Sequence, residues 1–238
     1  ANVTVTGKGN LTAVTITGGA ATSDVQVATV ADTGTVGTAT VASTDQLATI
    51  TLTGLTGVGT LSSEALTTLN INATAGTVTN TDAYIAAADT RALTVNVAGG
   101  TNSGVVDAGA TTATVNITGA TTTLGTATAF SAATTLNLNT SAVLTAGTIT
   151  AAAATTVNVA AASDITANTI TSNAATAINI SGAGDLKAYT QDGTAAAVIT
   201  NSGTGDVTLV TAIAAGQQYV GGAGADTLTF AATSTTAS

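Results

Sequence analysis

The sequence predicts an all-β protein, a parallel β-helix (β-solenoid) with about 21 residues per coil, a coil being one complete circuit of the solenoid. Three observations support this fold class. Apolar residues alternate with Thr, Ser or Asn, as they do in half-buried strands. Several sets of residues recur at one common period. The chain has 26 Gly and no Pro, which suits strands that pair on both edges and turn sharply between them.

A short phrase, in which an Asn or Thr lies between two apolar residues, carries the period. Its Asn residues in the second half of the chain recur at equal steps, as Asn116, Asn137, Asn158 and Asn179. The segments Leu144–Thr150 and Ile165–Thr171 keep the same step. We therefore expect these Asn residues to lie in one column and to exchange amide hydrogen bonds between coils.

The length of the period predicts the shape of the coil. About three strands of five residues and three tight corners would use up one period, and parallel coils would stack about 4.8 Å apart. Apolar side chains then point inward and the Asn or Thr between them points outward. Divided by this period, the 238 residues predict about eleven coils.

The domain organisation follows from where the period holds. We expect one elongated β-solenoid over residues 1–238, less regular in 1–112 and regular in 113–230. The segment Asn80–Arg91 is compatible with a single helical turn. The chain begins inside a strand pattern, without an initiator Met or a signal peptide, which favours a fragment of a longer repetitive protein.

Composition excludes several functions. Three basic residues against twelve acidic ones give a net charge of −9, which disfavours nucleic acid as a partner. No apolar run is long enough to span a membrane. The chain has no His and no Cys, so nucleophilic catalysis through either residue is excluded. The active sites of β-helix polysaccharide lyases combine clustered acids with Arg or Lys and aromatic side chains, whereas this chain has one Glu, one Arg and few aromatic residues. We expect no enzymatic activity.

Near the C-terminal end, Gly-rich segments precede a row of acidic residues. Asp164, Asp185 and Asp206 follow one another at the common period, and Asp226 comes one residue earlier than that period would place it. Residues 221–229 (GGAGADTLT) fit every fixed position of the calcium-binding nonapeptide repeat G-G-x-G-x-D-x-U-x. Partial forms of this repeat stand at 182–186 and 203–207.

With this nonapeptide and its Thr-, Ala- and Gly-rich composition, the chain resembles the RTX-type S-layer proteins of Gram-negative bacteria. The resemblance implies a secreted β-solenoid that tiles the cell surface and assembles with calcium. It also implies an RTX-like turn near the C-terminus. Carried over residue by residue, it gives these candidate calcium-site residues: Gly184, Asp185, Gly203, Gly205, Asp206, Gly222, Gly224 and Asp226.

Electrostatics supports a cation at this row independently of the resemblance. Two stacked carboxylates about 5 Å apart repel by roughly 1 kcal/mol in water and by several kcal/mol at lower effective dielectric constants. Calcium takes six to eight oxygen ligands, and Gly-rich corners expose carbonyl oxygens beside the carboxylates. The alternative is that these Asp residues are turn formers whose side chains bond to the backbone.

Two functions remain open from the sequence. The first is a structural surface-layer protein that self-assembles into a lattice stabilised by calcium. The alternative is a β-solenoid spacer region of a large secreted RTX-type adhesin. The expected partner is the chain itself, with cell-surface polysaccharide as a further candidate, and the expected location is outside the bacterial cell.

Overall fold

The computed structural model describes residues 2–19, 27–32, 45–80, 91–189 and 196–230. These residues form a parallel β-solenoid of about nine coils with about 21 residues per coil. The predicted fold class is confirmed. The helical turn predicted over residues 80–91 falls almost wholly on residues 81–90, which lie outside the described residues. Within the described ranges, no helix has the length and apolar character needed to cross a membrane.

Short strands rich in Val, Ile, Leu and Thr build the coils, because β-branched side chains fit a pleated, half-buried surface. In chain order the strands are β1 (Asn2–Gly7), β2 (Ala13–Thr17), β3 (Val27–Asp32), β4 (Thr49–Thr53), β5 (Gly57–Ser62), β6 (Thr68–Asn72), β7 (Thr77–Asn80), β8 (Ala92–Asn102), β9 (Gly104–Asp107), β10 (Thr112–Leu124), β11 (Thr128–Phe130), β12 (Thr135–Thr140), β13 (Leu144–Thr150), β14 (Thr156–Ala161), β15 (Ile165–Thr171), β16 (Ala177–Ser181), β17 (Leu186–Tyr189), β18 (Val198–Asn201), β19 (Val207–Ile213), β20 (Gln218–Val220) and β21 (Thr227–Phe230).

Each coil has three sides. Side 1 contains β2, β4, β6, the first parts of β8 and β10, and then the even-numbered strands from β12 to β20. Side 2 follows the first corner and includes the last parts of β8 and β10 and the first part of β13. Side 3 includes β7, β9, β11 and the last part of β13. Every pairing between the described strands is parallel.

The number of residues per coil differs between the two halves. On side 1, Ala13 pairs with Thr49 and Thr68 pairs with Thr94, so both of these coils are longer than the predicted period. From Thr135 onward the paired positions are residues 156, 177 and 198, and every one of these steps equals the predicted period. The expectation of eleven coils is therefore wrong, because these two coils of the first half use many more residues than the predicted period, although the step from Thr49 to Thr68 is slightly shorter than it.

The Asn column predicted from the sequence is two columns. Asn137, Asn158 and Asn179 lie in register, and each later side-chain amide donates to the Oδ1 of the one before at 2.8 Å. Asn116, however, pairs with Asn139, so its place in the same column is wrong. The coil from β10 to β12 has two residues more than the coils that follow, and this excess shifts the register by two positions.

The core is a continuous column of aliphatic side chains. In β12 the side chains of Leu136 and Leu138 are buried, while those of Asn137 and Asn139 are partly exposed. The other side 1 strands alternate in the same way, as the sequence pattern predicts. Among the described residues, Phe130 is the largest of the fully buried side chains. Most of the core is built from Val, Ile, Leu and Ala.

Candidate functional site: the acidic corner

The candidate site lies at the corner between side 1 and side 2, which we call the acidic corner (residues 161–164, 182–185, 202–206 and 221–226). All eight residues predicted from the nonapeptide pattern lie on it, in three successive coils. The corner follows β14, β16, β18 and β20 and leads into β15, β17, β19 and β21. The eight residues therefore lie together at one corner, and calcium binding by them stays a prediction.

Two columns of glycine allow the coils to stack at this corner. A Cβ on Gly203 would collide with the carbonyl oxygen of Gly182, and a Cβ on Gly205 with that of Gly184. The contacts are repeated one coil later, where Gly222 and Gly224 face Gly203 and Gly205 in the same way. These glycines are therefore needed for close backbone approach, whether or not an ion is bound.

The carboxylates form a ladder through the backbone. The N–H of Asp185 donates to Asp164 Oδ1, and the N–H of Asp206 donates to Asp185 Oδ1, both at 3.0 Å. The N–H of Ala225 continues the series by donating to Asp206 Oδ1 at 2.7 Å. Each carboxylate thus caps the corner of the following coil, which is the turn-forming role that the sequence left open as an alternative.

Lys187 lies between the first two carboxylates of the ladder. Its Nζ is 3.3 Å from Asp164 Oδ2 and 3.1 Å from Asp185 Oδ2. The hydrogen bond from the Asp206 N–H and the one from Lys187 hold the pKa of Asp185 below its usual value. The hydrogen bonds to Asp185 and Asp164 raise the pKa of Lys187. The repulsion expected between Asp164 and Asp185 is therefore offset by a cation that belongs to the chain.

Asp226 departs from the ladder because the last step is one residue shorter. Its Oδ1 accepts the N–H of Val207 at 3.1 Å and lies 3.3 Å from the side-chain amide of Asn201, which is buried. Tyr219 packs beneath this corner. Burial, followed by the neighbouring Asp226 carboxylate, raises the pKa of the Tyr219 phenol. Its buried hydroxyl lies next to the Asp226 carboxylate and the Asn201 side chain.

The donor set at Asp206 and Asp226 fits a calcium ion only in part. Neither carboxylate forms an ion pair with a described Lys or Arg. The Gly-rich corner also provides carbonyl oxygens, which can serve as calcium ligands. Among the described residues, however, no group of three or more acidic, His or Cys side chains converges. A calcium ion here would depend on two carboxylates, backbone carbonyls and water.

A second polar cluster was not predicted from the sequence. At the corner between side 3 and side 1, Arg91 Nη2 contacts the buried Asp107 carboxylate at 2.7 and 3.0 Å. Asn80 Nδ2 donates to the same carboxylate at 2.9 Å, and Arg91 Nη1 donates to the carbonyl of Leu66 at 2.7 Å. The one signal in the sequence was that Arg91 is the chain's single Arg. Its spacing from Asp107 follows no period.

A second buried carboxylate, Asp32, closes an earlier corner of the solenoid. It accepts the backbone N–H groups of Gly9 at 2.6 Å, Gln46 at 2.9 Å and Leu47 at 3.2 Å. These contacts give Asp32 a structural role.

Comparisons of the chain with protein-family models, with curated proteins and with solved structures find no match. The description of the candidate site therefore depends on its own geometry.

Proposed function

We propose that this chain is a structural surface-layer protein that self-assembles on the outside of a bacterial cell, with calcium stabilising the assembly. The observation that carries the proposal is the continuity of the stack. Nine successive parallel pairings join the ten strands of side 1 among the described residues. A chain folded in this way acts as a rod whose sides serve as contact surfaces, without substrate turnover.

The distribution of charge supports contacts between copies of the chain. The outward positions of side 1 are mainly Thr, Asn, Ala and Ser, as in β12, β14 and β16. Among the described residues of the regular half, the Asp side chains and Lys187 lie at or beside the acidic corner instead. Two rods can therefore approach side to side with little repulsion despite the net charge of −9. Val143 and Val210, which are 43% and 52% exposed, add apolar contact surface.

Calcium enters the proposal at Asp206 and Asp226. These carboxylates lie on successive coils without a Lys between them, whereas Lys187 already bridges Asp164 and Asp185. Carbonyl oxygens of the Gly-rich corner and water would complete the coordination beside the two carboxylates. Calcium at Gly184 and Asp185 stays a prediction that would require displacement of the Lys187 ammonium group.

Negative-stain electron microscopy tests the proposal. We expect ordered two-dimensional sheets when the purified chain is incubated with calcium, and none with magnesium at equal ionic strength or with a chelator. Asp226→Asn should prevent the sheets, because it removes a charge while keeping an acceptor for the Val207 N–H. Asp164→Asn is the matched control, since it changes an acid of the same ladder beside Lys187, and sheets should persist.

Dispersed single rods in every condition would contradict the lattice. They would instead favour the spacer region of an adhesin, in which the same solenoid acts as a long spacer and forms no lattice.

A further inference from the structure

A groove crosses the outer surface of side 1 in the middle coils, beside the corner between side 1 and side 2. It has a volume of about 380 Å³, within the range of small-molecule sites. Its lining includes Asn116, Asn139, Ser141, Ala160 and Ala162. No lining residue carries a charge. The groove is separate from Asp206 and Asp226, and it lies on the outer surface of side 1 that is proposed above for contacts between copies.

An irregularity in β10 forms one wall of the groove. The pairing of β10 with β8 shifts in register between Thr118 and Thr122. Between the positions paired with Thr140 and Leu144, β10 has four residues where the following coil has three. Thr118 begins this longer corner and is exposed. The coil of β14 contributes Ala160 and Ala162 to the lining, and their small side chains fill little of the groove.

The Asn column that contains Asn116 and Asn139 ends inside the groove, and we call it the first Asn ladder. Asn96, Asn116 and Asn139 each donate their side-chain amide to the preceding rung, at 2.8 to 3.0 Å along the series from Asn70. The position paired with Asn139 in the next coil is Ala160, which has no amide to continue the series. Among the described residues, Asn139 Oδ1 therefore accepts no hydrogen bond. Because aligned hydrogen bonds polarise one another, this terminal oxygen is a strong acceptor.

The lining combines three features that one class of ligand satisfies together. Asn139 Oδ1 is an acceptor, and the hydroxyl of Ser141 can accept as well, since its proton is donated to the Ile117 carbonyl at 3.2 Å. The exposed hydroxyl of Thr118 can donate or accept. Ala160 and Ala162 provide a small apolar floor. We propose that this groove binds a neutral saccharide ring, with ring hydroxyls on the ladder end and the C–H face on the alanines.

The absence of charge in the lining and the net charge of −9 favour an uncharged saccharide over a uronic acid or a sulfated sugar. This inference does not depend on the proposed function. A chain that forms no sheets can still bind a saccharide here, and a chain that forms sheets need not. Binding is therefore measured in chelator, where the chain is expected to stay dispersed.

The substitution Ala160→Asn gives a test that does not threaten the fold. An Asn at this position adds one more rung, donates to Asn139 Oδ1 and fills the groove. We expect its thermal stability to equal or exceed that of the wild type. Ala152→Asn is the matched control, because Ala152 is exposed and lies at another corner, outside the groove.

The measurement is a titration of the ¹⁵N-labelled chain with neutral tetrasaccharides of glucose, mannose, galactose and N-acetylglucosamine, followed by NMR. At least one of them should cause saturable shifts at the amides of residues 116–118, 139–141 and 160–162. Ala160→Asn should weaken binding by about tenfold or more, and Ala152→Asn should leave it unchanged. The proposal is overturned if no tetrasaccharide causes localised, saturable shifts at about 10 mM. Equal binding by Ala160→Asn, or equal binding of an oligogalacturonate, would also overturn it.

Discussion

The corner between side 3 and side 1 is built in two different ways along the same solenoid. In the coil of Asp107, the carboxylate closes the corner by accepting the N–H groups of Gly109 and Ala110 at 3.1 and 2.8 Å. One coil later Phe130 takes the paired position, and its backbone carbonyl accepts the N–H of Ala133. The same backbone turn recurs in the next two coils, from Ala151 to Ala154 and from Ser172 to Ala175.

The two forms of this corner have the same length and differ in what closes it. Asp107 lies five residues before Thr112, just as Phe130 lies five residues before Thr135, the position paired with Thr112. Asp107 is also paired with Asn80 in the coil before it, at a step four residues longer than the step to Phe130. Corners closed by the backbone turn keep one constant step. The irregular half therefore closes this corner with a buried polar side chain, and the regular half closes it with a repeated backbone hydrogen bond.

The largest effect is expected at the buried ion pair. Arg91→Ala leaves the Asp107 carboxylate buried without its cation, and we expect it to lower the free energy of unfolding by about 3–5 kcal/mol in urea denaturation. The double variant Arg91→Leu, Asp107→Asn removes both charges and keeps an acceptor for Gly109 and Ala110, so it should recover much of the loss. A loss below about 1 kcal/mol for Arg91→Ala is what an exposed ion pair would give. Such a result would contradict a stabilising role for the buried pair in the irregular half.

A smaller loss is expected in the glycine columns of the regular half. Gly203→Ala places a Cβ against the carbonyl of Gly182, and the coils must separate locally. We expect a cost of about 1–3 kcal/mol, as for other overpacked sites, measured by thermal unfolding. The neighbouring variant Thr204→Ala, at an exposed position, should have little effect. If both variants melt together with the wild type, the corner is looser than the structure indicates.

The Asn ladder should show a graded effect. Asn158→Ala removes two hydrogen bonds, to Asn137 and from Asn179, whereas Asn179→Ala removes one. At about 0.5–1 kcal/mol for each partly exposed bond, the first variant should lose about twice as much stability as the second. Chemical denaturation of both variants under one condition measures the ratio. Equal losses would mean that the rungs do not act as a series.

The smallest effect is expected at the exposed pair. Lys187→Met removes the ammonium group between Asp164 and Asp185, so the pKa of Asp185 should rise, yet stay below its usual value because the Asp206 N–H remains. A lowered pKa in the folded state contributes stability that is present above the unfolded-state pKa. That contribution is lost as the pH falls through the lowered value.

The variant should therefore differ from the wild type mainly in the acid range. A carboxyl-detected NMR titration measures the pKa shift directly. An unchanged pKa for Asp185 would mean that Lys187 does not interact with this carboxylate in solution.

The sequence predicted the regular half because each coil repeats the chemistry of the one before it. The common period correctly placed Asn137, Asn158 and Asn179 in register, as it did Leu144–Thr150 and Ile165–Thr171. It failed at Asn116, because two extra residues in one coil move an identical residue type into the neighbouring column. A period counts residues along the chain, but the register depends on how many of them each corner uses.

The candidate site shows the same limit. The glycines and the first three carboxylates were placed on one corner by their spacing, yet a final step shorter by one residue turned Asp226 inward toward Asn201. The contact between Lys187 and the ladder depends on side-chain reach, which spacing does not encode. Arg91 and Asp107 belong to no repeating set of residues, so the sequence period does not predict their contact.

Calcium at Asp206 and Asp226 is proposed to support self-association of the rod. Sedimentation velocity in calcium and in chelator, at constant ionic strength, tests it most directly. The wild-type chain should form larger species in calcium and return to a single slow species in chelator. The double variant Asp206→Asn, Asp226→Asn keeps the acceptors for Ala225 and Val207, and it should sediment slowly in both conditions. The same sedimentation coefficient for the wild type in calcium and in chelator, over a wide range of concentration, would contradict the claim.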